Sequence, residues 1–170
     1  MTTHVTFRQA DDRDLDVLVS LFDSVARWMV RNGIEQWKPG DKGAEHFRAR
    51  LAAGEVWLAS HDGRTVGAYE LWWEDEQVWG PQPPVAGYVH RLMTDREAAP
   101  GGAGRLLLAH AERRIAAVGR TAARLDCEAR DPRLRTYYEG AGYGAVVEEL
   151  EKTAADGRRY HVTLMEKALA

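Results

Sequence analysis

The chain contains 170 residues and has a mass of 19.1 kDa, so we expect a single domain over residues 1–170. Hydrophobic residues make up 45% of it and charged residues 29%, a balance typical of a globular protein with a sizeable core rather than of a disordered chain. The formal net charge of -3 does not give the basic surface of a nucleic-acid-binding protein, and we expect no nucleic-acid partner.

The sequence also carries no signal for a membrane span, a disulfide or a zinc site. No stretch approaches the roughly 18 apolar residues of a membrane span, and no basic segment followed by an apolar one opens the chain. The single cysteine, Cys127, cannot close an intramolecular disulfide, and no set of Cys and His has zinc-binding spacing. We therefore expect a cytoplasmic protein without a membrane partner or a bound metal.

The first half of the chain predicts a strand, two helices and a hairpin. Polar and apolar residues alternate over His4–Gln9, which favours a half-buried strand. Apolar residues recur at helical spacing from Leu15 to Met29, and a shorter helix is predicted over Ala44–Ala53. Two strand-like runs follow, at 55–60 and 65–73, and the Asp-Gly pair between them predicts a hairpin.

The second half predicts strands alternating with helices. Residues 74–84 contain three prolines and are predicted to form a loop. Strands are predicted over 85–94, 124–129, 144–152 and 160–165, and helices over 103–118 and 132–140. The resulting order, β-α-α-β-β-β-α-β-α-β-β, indicates an α/β (α+β) fold with a mixed central sheet flanked by helices.

A glycine-rich turn lies between the strand at 85–94 and the helix that follows it. Its glycines, Gly101, Gly102 and Gly104, stand at the start of the helix, where unpaired backbone amides can bind an anion such as a phosphate. The turn is neither a dinucleotide fingerprint, which needs glycine where Leu107 stands, nor a P-loop, which needs Gly-Lys-Ser/Thr. Taken alone, it is equally typical of a plain tight turn.

A second motif makes this segment specific. Gly102-Ala-Gly104, followed by Leu107-Leu108, precedes Tyr138-Glu-x-x-Gly142-Tyr143 by about thirty residues. The pair resembles the acetyl-CoA motif and the downstream tyrosine motif of the GNAT N-acetyltransferases. The resemblance is tight over residues 88–143 and extends to the order of elements before them. It implies acetyl-CoA (coenzyme A) as cofactor and a GNAT-like sheet with splayed strands at the cofactor cleft, opened by a β-bulge.

The resemblance also implies the residues that bind the cofactor. Leu92, Met93 and Thr94 are expected beside the pantetheine arm and the acetyl carbonyl, and the pyrophosphate is expected at Gly101, Gly102, Ala103, Gly104 and Arg105. Two positions depart from the family pattern, because Ala99 stands where Gln or Arg is usual and Pro100 where Gly is usual. Asp131 stands where many members have Asn, and a carboxylate cannot donate a hydrogen bond, so it is left out of the binding set.

Acetyl transfer to an amine needs a base, because an alkyl ammonium with a pKa about three units above neutrality costs about 4 kcal/mol to deprotonate. His90 is the preferred candidate, since the resemblance to the arylalkylamine acetyltransferases places a histidine there, acting through water. Glu70, Asp126 and Glu128 are rival bases. The same resemblance implies that Tyr138 is the acid that protonates the departing CoA thiolate, while its neighbour Tyr137 points about 100° away.

The acceptor site is the least patterned part of the sequence. We predict that the amine contacts Trp37, Glu70 and Trp72. Trp37 ends the segment 31–37, which resembles the variable acceptor-side segment of bacterial members of the family, and aromatic faces and carboxylates suit a cation. Trp73 and Trp79 also flank the acidic run 74–76, and the alternative for these tryptophans is core packing.

The sequence therefore predicts an acetyl-CoA-dependent N-acetyltransferase that acetylates a primary amine of a small molecule. Direct attack needs no acyl-cysteine, so Cys127 is predicted to be a buried strand thiol. The alternatives are a protein or peptide N-acetyltransferase, a non-catalytic acyl-CoA sensor and a toxin that acetylates charged tRNA, the last disfavoured by the net charge. Dimerisation is common in the family, which leaves room for a homodimer.

Overall fold

The computed structural model describes residues 4–170, which contain seven strands, five α-helices and a short 3-10 helix at Asp12–Asp14. The strands are β1 (Thr6–Gln9), β2 (Glu55–His61), β3 (Arg64–Trp72), β4 (Ala86–Thr94), β5 (Ala122–Glu128), β6 (Gly144–Thr153) and β7 (Arg159–Ala168). The helices are α1 (Leu15–Arg31), α2 (Ala44–Ala53), α3 (Glu76–Trp79), α4 (Ala103–Ala117) and α5 (Pro132–Gly140). The strands form a mixed, mostly antiparallel sheet in the order β1-β2-β3-β4-β5-β7-β6, which confirms the predicted fold class.

The predicted element order is confirmed with one correction. Residues 74–84, predicted to be a loop throughout, contain the single helical turn α3. The backbone amide of Trp79 donates a hydrogen bond to the Asp75 carbonyl, and the amide of Gly80 donates to the Glu76 carbonyl. The prolines at 81, 83 and 84 all lie after this turn, so they leave its hydrogen bonds intact.

The chain divides into two compact units that alternate along the sequence. Within the described residues, the first unit consists of 4–72 with His90–His110, and the second of Trp73–Val89 with Ala111–Ala170. Strand β4 and helix α4 each continue from one unit into the other. Among residues 4–170, no helix combines the length and the apolar run that crossing a membrane requires.

The first unit is built around the apolar face of α1. Leu18, Phe22 and Ala26 on this face are almost fully buried, together with Phe47 of α2 and Val56 of β2. Strands β1, β2 and β3 pair in antiparallel fashion, and the β2–β3 turn has positive φ at both of its central residues, as the Asp-Gly signal predicted.

The second unit is held by antiparallel pairing of β5 with β7 and of β7 with β6. The start of β4 joins β5 in parallel, with pairs that run from Ala86↔Ala122 to Tyr88↔Arg124, whereas β4 itself continues to Thr94. Arg124 is buried but satisfied, since it donates to Glu166 at 2.7 Å and to the Tyr88 hydroxyl at 2.9 Å.

Strand β4 is distorted at Arg91, whose φ of +46° lies in the left-handed region that non-glycine residues rarely adopt. This distortion lies in the strand for which the family resemblance implied a bulge. Just beyond it, β4 runs very close to β3: a Cβ built on Gly67 would lie 2.9 Å from the Met93 carbonyl oxygen and 3.0 Å from a methyl carbon of Leu107. Position 67 therefore requires glycine for close approach.

We predict that Gly67→Ala destabilises the protein by about 1–3 kcal/mol, the usual cost of overpacking. The added methyl has to displace backbone as well as the Leu107 side chain. Urea unfolding followed by tryptophan fluorescence measures the effect. Gly144→Ala is the matched control, because a Cβ there meets nothing within 4 Å; equal stability of the two variants would contradict the prediction.

Candidate functional site

The end of β4 carries the three residues predicted to contact the acyl arm. Met93 is fully buried, while Leu92 and Thr94 on either side of it are half-buried. Side chains alternate along a strand, so Met93 belongs to the core and the other two share the opposite face. The segment thus presents two accessible side chains, with its backbone, on the face opposite the core.

Asp95 anchors the loop that follows β4. Its carboxylate Oδ1 accepts hydrogen bonds from the amides of Glu97 at 2.9 Å and Ala98 at 3.0 Å. Its own amide donates to the carbonyl of Val66 on β3 at 2.7 Å, and its carbonyl accepts from Ala99 at 2.9 Å. These bonds fix the start of the loop through backbone amides and the Asp95 carboxylate, so they do not depend on the side chains that depart from the family pattern at 99 and 100.

The predicted anion-binding glycines lie at the start of α4. Gly101 and Gly102 are exposed, and Gly102 has a φ of +84°, which favours glycine at that turn. Helix α4 begins at the buried Ala103, whose amide donates to the Pro100 carbonyl at 3.2 Å. The first amides of a helix lack intrahelical acceptors and carry positive partial charge, so this end of α4 can bind a phosphate.

His90 and Trp72 are brought together by neighbouring strands of the first unit. Their rings stack with centroids 3.8 Å apart and an interplanar angle of 25°. The guanidinium carbon of Arg50, from α2, lies 3.7 Å from the centroid of the same indole. Two groups at these distances cannot share one face of a ring, so Trp72 is held between His90 and Arg50. Two predicted site residues therefore form one stacked assembly.

Glu70, two residues before Trp72 on β3, is a carboxylate that contacts both Trp72 and Arg50 of this assembly. Its side chain is completely buried. The carboxylate accepts hydrogen bonds from His46 Nε2 at 2.7 Å, Trp72 Nε1 at 3.0 Å and Arg91 Nη1 at 3.0 Å. Arg50 Nε lies 4.0 Å away. Helix α2 and strands β3 and β4 therefore all supply donors to one buried carboxylate.

These contacts decide the ionisation of Glu70. Burial by itself would raise the pKa, but the hydrogen bond from His46 and the charge of Arg91 outweigh it and lower the pKa to about 2. A carboxylate with this pKa is ionised at neutral pH and is a weak base. The structure therefore favours an indirect role for Glu70, which holds Trp72 and Arg91 in place.

Trp37, the third residue predicted to contact the acceptor, packs against the core of the first unit. Its ring stacks on Phe22 with centroids 5.1 Å apart, and it is half-buried. The Trp37 ring thus contributes to core packing, and its contact with an acceptor stays a prediction.

The residues predicted to supply the acid lie in the second unit. Tyr138 on α5 is half-buried, with the rings of Tyr137 and Tyr143 at centroid distances of 5.3 and 6.2 Å. Burial raises its pKa, so the phenol keeps its proton at neutral pH. Asp131 caps α5 by accepting from the Arg133 amide at 3.0 Å. Burial also raises the pKa of Cys127 to about 11, in keeping with the predicted unreactive strand thiol.

Sequence reasoning missed the cations around Glu70. His46 and Arg50 are four residues apart on α2 and therefore share a helix face, and this spacing was a usable signal. Arg91 had none, because its contact with Glu70 depends on the pairing of β3 with β4 and on the unusual backbone at position 91.

Comparison with known proteins places the chain in a family. The profile described as the Acetyltransferase (GNAT) domain matches residues 25–164. The chain is 29% identical over 158 residues to the uncharacterized N-acetyltransferase YesJ of Bacillus subtilis (strain 168), covering 88% of this chain and 83% of that protein.

Solved structures agree on the fold. The structure of yncA from Salmonella typhimurium, determined with its cofactor acetyl-CoA, matches with a TM-score of 0.70 at 14% identity, covering 99% of this chain and 95% of the other. The PaiA N-acetyltransferase of Thermoplasma acidophilum, in complex with coenzyme A, matches with a TM-score of 0.69 at 17% identity, covering 97% and 99%.

We predict that Glu70→Gln lowers the free energy of unfolding at pH 7. The difference in free energy of unfolding between this variant and the wild type should become smaller as the pH is lowered. The folded pKa of about 2 lies below the ordinary value of 4.5, so ionised Glu70 stabilises the fold above pH 4.5, and this contribution is lost as pH falls towards 2. The gap between the two pKa values corresponds to about 3 kcal/mol. Urea unfolding at a series of pH values measures the difference.

The exposed Glu149→Gln is the control for removing one carboxylate. It should leave stability nearly unchanged across the same range, because surface charges contribute little. If the free energies of unfolding of Glu70→Gln and the wild type differ by the same amount from pH 7 into acid, ionisation of Glu70 does not stabilise the fold.

Proposed function

The chain belongs to the GNAT family of acetyltransferases, and we propose that it transfers the acetyl group of acetyl-CoA to a primary amine of a small molecule. The observation that carries the proposal is the continuous segment formed by the end of β4, the loop anchored by Asp95 and the first turn of α4. This segment offers backbone groups for the acyl arm and positive helix-end amides for the pyrophosphate.

The residues of this segment fit the cofactor. Gly101 and Gly102 are exposed and have no Cβ to block close approach of phosphate oxygens, and Gly104 and Arg105 follow in the first turn of the helix. We assign Leu92, Met93 and Thr94 to the arm and these residues, with Ala103, to the pyrophosphate. The bond from the Ala103 amide to Pro100 leaves the other amides as the principal donors. When bound, acetyl-CoA supplies an activated thioester.

The reaction forms an N–C bond between the amine and the acetyl carbon and breaks the C–S bond to CoA. The amine must first lose a proton, and His90 is assigned to accept it through water. Stacking on Trp72 fixes the plane of the His90 imidazole, which limits the directions in which its nitrogens can point. The low pKa of Glu70 argues against that residue as the base and leaves Asp126 and Glu128 as the rivals of His90.

Tyr138 is assigned to protonate the departing thiolate. The assignment is supported by the match of Tyr138 and Gly142-Tyr143 to the family motif and by the raised pKa that keeps the phenol protonated. Two protons leave the nitrogen: the ammonium gives one to the base before attack, and the second is lost after the N–C bond has formed. The phenol gives one proton to the thiolate sulfur, and the second proton from the nitrogen balances the reprotonation of the tyrosinate. The base then returns its proton to solvent, so the reaction releases one proton in total.

We predict that Tyr138→Phe lowers turnover by roughly 10²-fold or more, the usual cost of removing a positioned proton donor. Acetyl-CoA affinity should change little, because the hydroxyl acts on the sulfur only as the bond breaks. Release of free thiol from acetyl-CoA with a panel of primary amines measures turnover, and calorimetry measures affinity.

Tyr137→Phe is the matched control, since it removes the same atom from the adjacent residue of α5. Turnover of Tyr138→Phe equal to that of the control would remove the acid role from Tyr138. Absence of thiol release with every amine, despite saturable acetyl-CoA binding, would overturn the proposed function in favour of a non-catalytic sensor.

A further inference from the structure

The side chains around Glu70 carry more positive than negative charge. We call Lys42, His46, Arg50 and Arg91 the cationic cluster; all four belong to the first unit. Arg91 and Arg50 form ion pairs with Glu70 at 3.0 and 4.0 Å, and His46 Nε2 donates a hydrogen bond to it at 2.7 Å. Arginine stays protonated throughout the physiological range, so two permanent positive charges face one buried carboxylate.

Lys42 is affected both by burial and by the positive charge of Arg91. Its pKa is lowered first by burial and then by the charge of Arg91, while Asp41 and Glu70 act in the opposite direction without cancelling the effect. The ammonium of Lys42 is thus disfavoured where it stands.

The cluster is half-buried, with 19% of the Arg50 side chain and 18% of the Arg91 side chain exposed. Part of each guanidinium can therefore be reached from solvent, in surroundings where a charge is only partly hydrated. The carboxylate of Glu70 already accepts three hydrogen bonds. A further anion would find a positive, partly desolvated site, in which a charge-assisted hydrogen bond is strong.

The position of the cluster connects it to the acceptor. Arg91 directly precedes Leu92–Thr94, the residues assigned to the acyl arm, and Arg50 stacks on Trp72, which in turn stacks on the proposed base His90. A group bound to Arg50 and Arg91 therefore lies beside the residues assigned to the reaction.

We propose that the acceptor is an amino-acid-like amine whose carboxylate, or an equivalent oxyanion, binds to Arg50 and Arg91. The proposal rests on the proposed function and names the substrate class of that site. A purely cationic amine would be repelled by the cluster, whereas a zwitterion brings the compensating negative charge. The planar fork of a guanidinium matches the two oxygens of a carboxylate. The same cations also disfavour the ammonium form of the acceptor, which helps to produce the neutral nucleophile.

The test compares three acceptors that share one side chain: an L-amino acid, its primary amide and its decarboxylated amine. Several side chains are used, and kcat/KM is measured by thiol release. The wild-type enzyme should prefer the carboxylate over the amide by about 10-fold or more for at least one side chain. In Arg50→Gln this ratio should fall towards one, and Arg50→Lys, which keeps the charge, should retain part of it.

Arg48→Gln is the matched control, because Arg48 lies on the same helix but is exposed, and the variant should keep the wild-type ratio. Arg91→Gln provides a second variant if Arg50→Gln does not fold. If the wild-type enzyme has the same kcat/KM for the amides or the decarboxylated amines as for the carboxylates, the inference is overturned and the proposed function stands. A preference for carboxylates that persists in both Arg50→Gln and Arg91→Gln would also overturn it.

Calorimetric titration of the same amino acids into the enzyme with coenzyme A distinguishes failure of the anion site from failure of the proposed acetyl transfer. Binding of amino acids that is weakened in Arg50→Gln, with no thiol release, would support the anion site while refuting acetyl transfer. Neither binding nor turnover of any carboxylate-bearing amine would overturn the inference.

Discussion

The arrangement of the first unit depends on the buried carboxylate of Glu70. An ionised carboxylate without solvent contact is costly unless its oxygens are paired, and truncating one partner of such a group leaves an uncompensated charge. Glu70 meets this requirement by drawing donors from α2, from its own strand β3 and from β4. The requirement therefore fixes three elements relative to one another at a single point.

Two consequences for chemistry follow from this pairing. Arg91 is held by Glu70 at the point where β4 has left-handed backbone, immediately before the residues assigned to the acyl arm. Trp72 is held through its indole nitrogen, and the face that it presents orients His90. The pKa of Glu70 is too low for a general base. Glu70 instead positions Arg91 and Trp72, and through Trp72 it orients His90, the residue assigned as the base. We propose that the arginines around it bind the carboxylate of the acceptor.

Much of the fold could be predicted because local patterns determine it. The apolar period of α1, the Asp-Gly turn of the β2–β3 hairpin and the proline that opens α5 all act over a few residues, and each predicted element is present. The turn α3 was missed because four residues are too few to show a period. The glycine-rich turn before α4 was predictable for the same reason as the hairpin, since Gly101, Gly102 and Gly104 lie within four residues. Its binding of an anion stays a prediction.

The surroundings of Glu70 were less predictable because their contacts join residues distant in sequence. Glu70 was predicted to contact the amine from its type alone, yet its oxygens are engaged by His46, Trp72 and Arg91, up to 24 positions away. Trp37 likewise packs on Phe22, which sequence spacing does not reveal. Tertiary packing determines which residues meet in this way. A periodic sequence pattern shows only which face of a helix or strand is buried, and not which residues of another element it contacts.

Cofactor binding is tested by a calorimetric titration of the wild-type protein with acetyl-CoA alone. We expect saturable binding of one molecule per chain at micromolar strength, because the glycine turn and the first amides of α4 remain available despite Ala99 and Pro100. Absence of saturable binding would contradict this expectation and would mean that these two residues have disabled the pyrophosphate site.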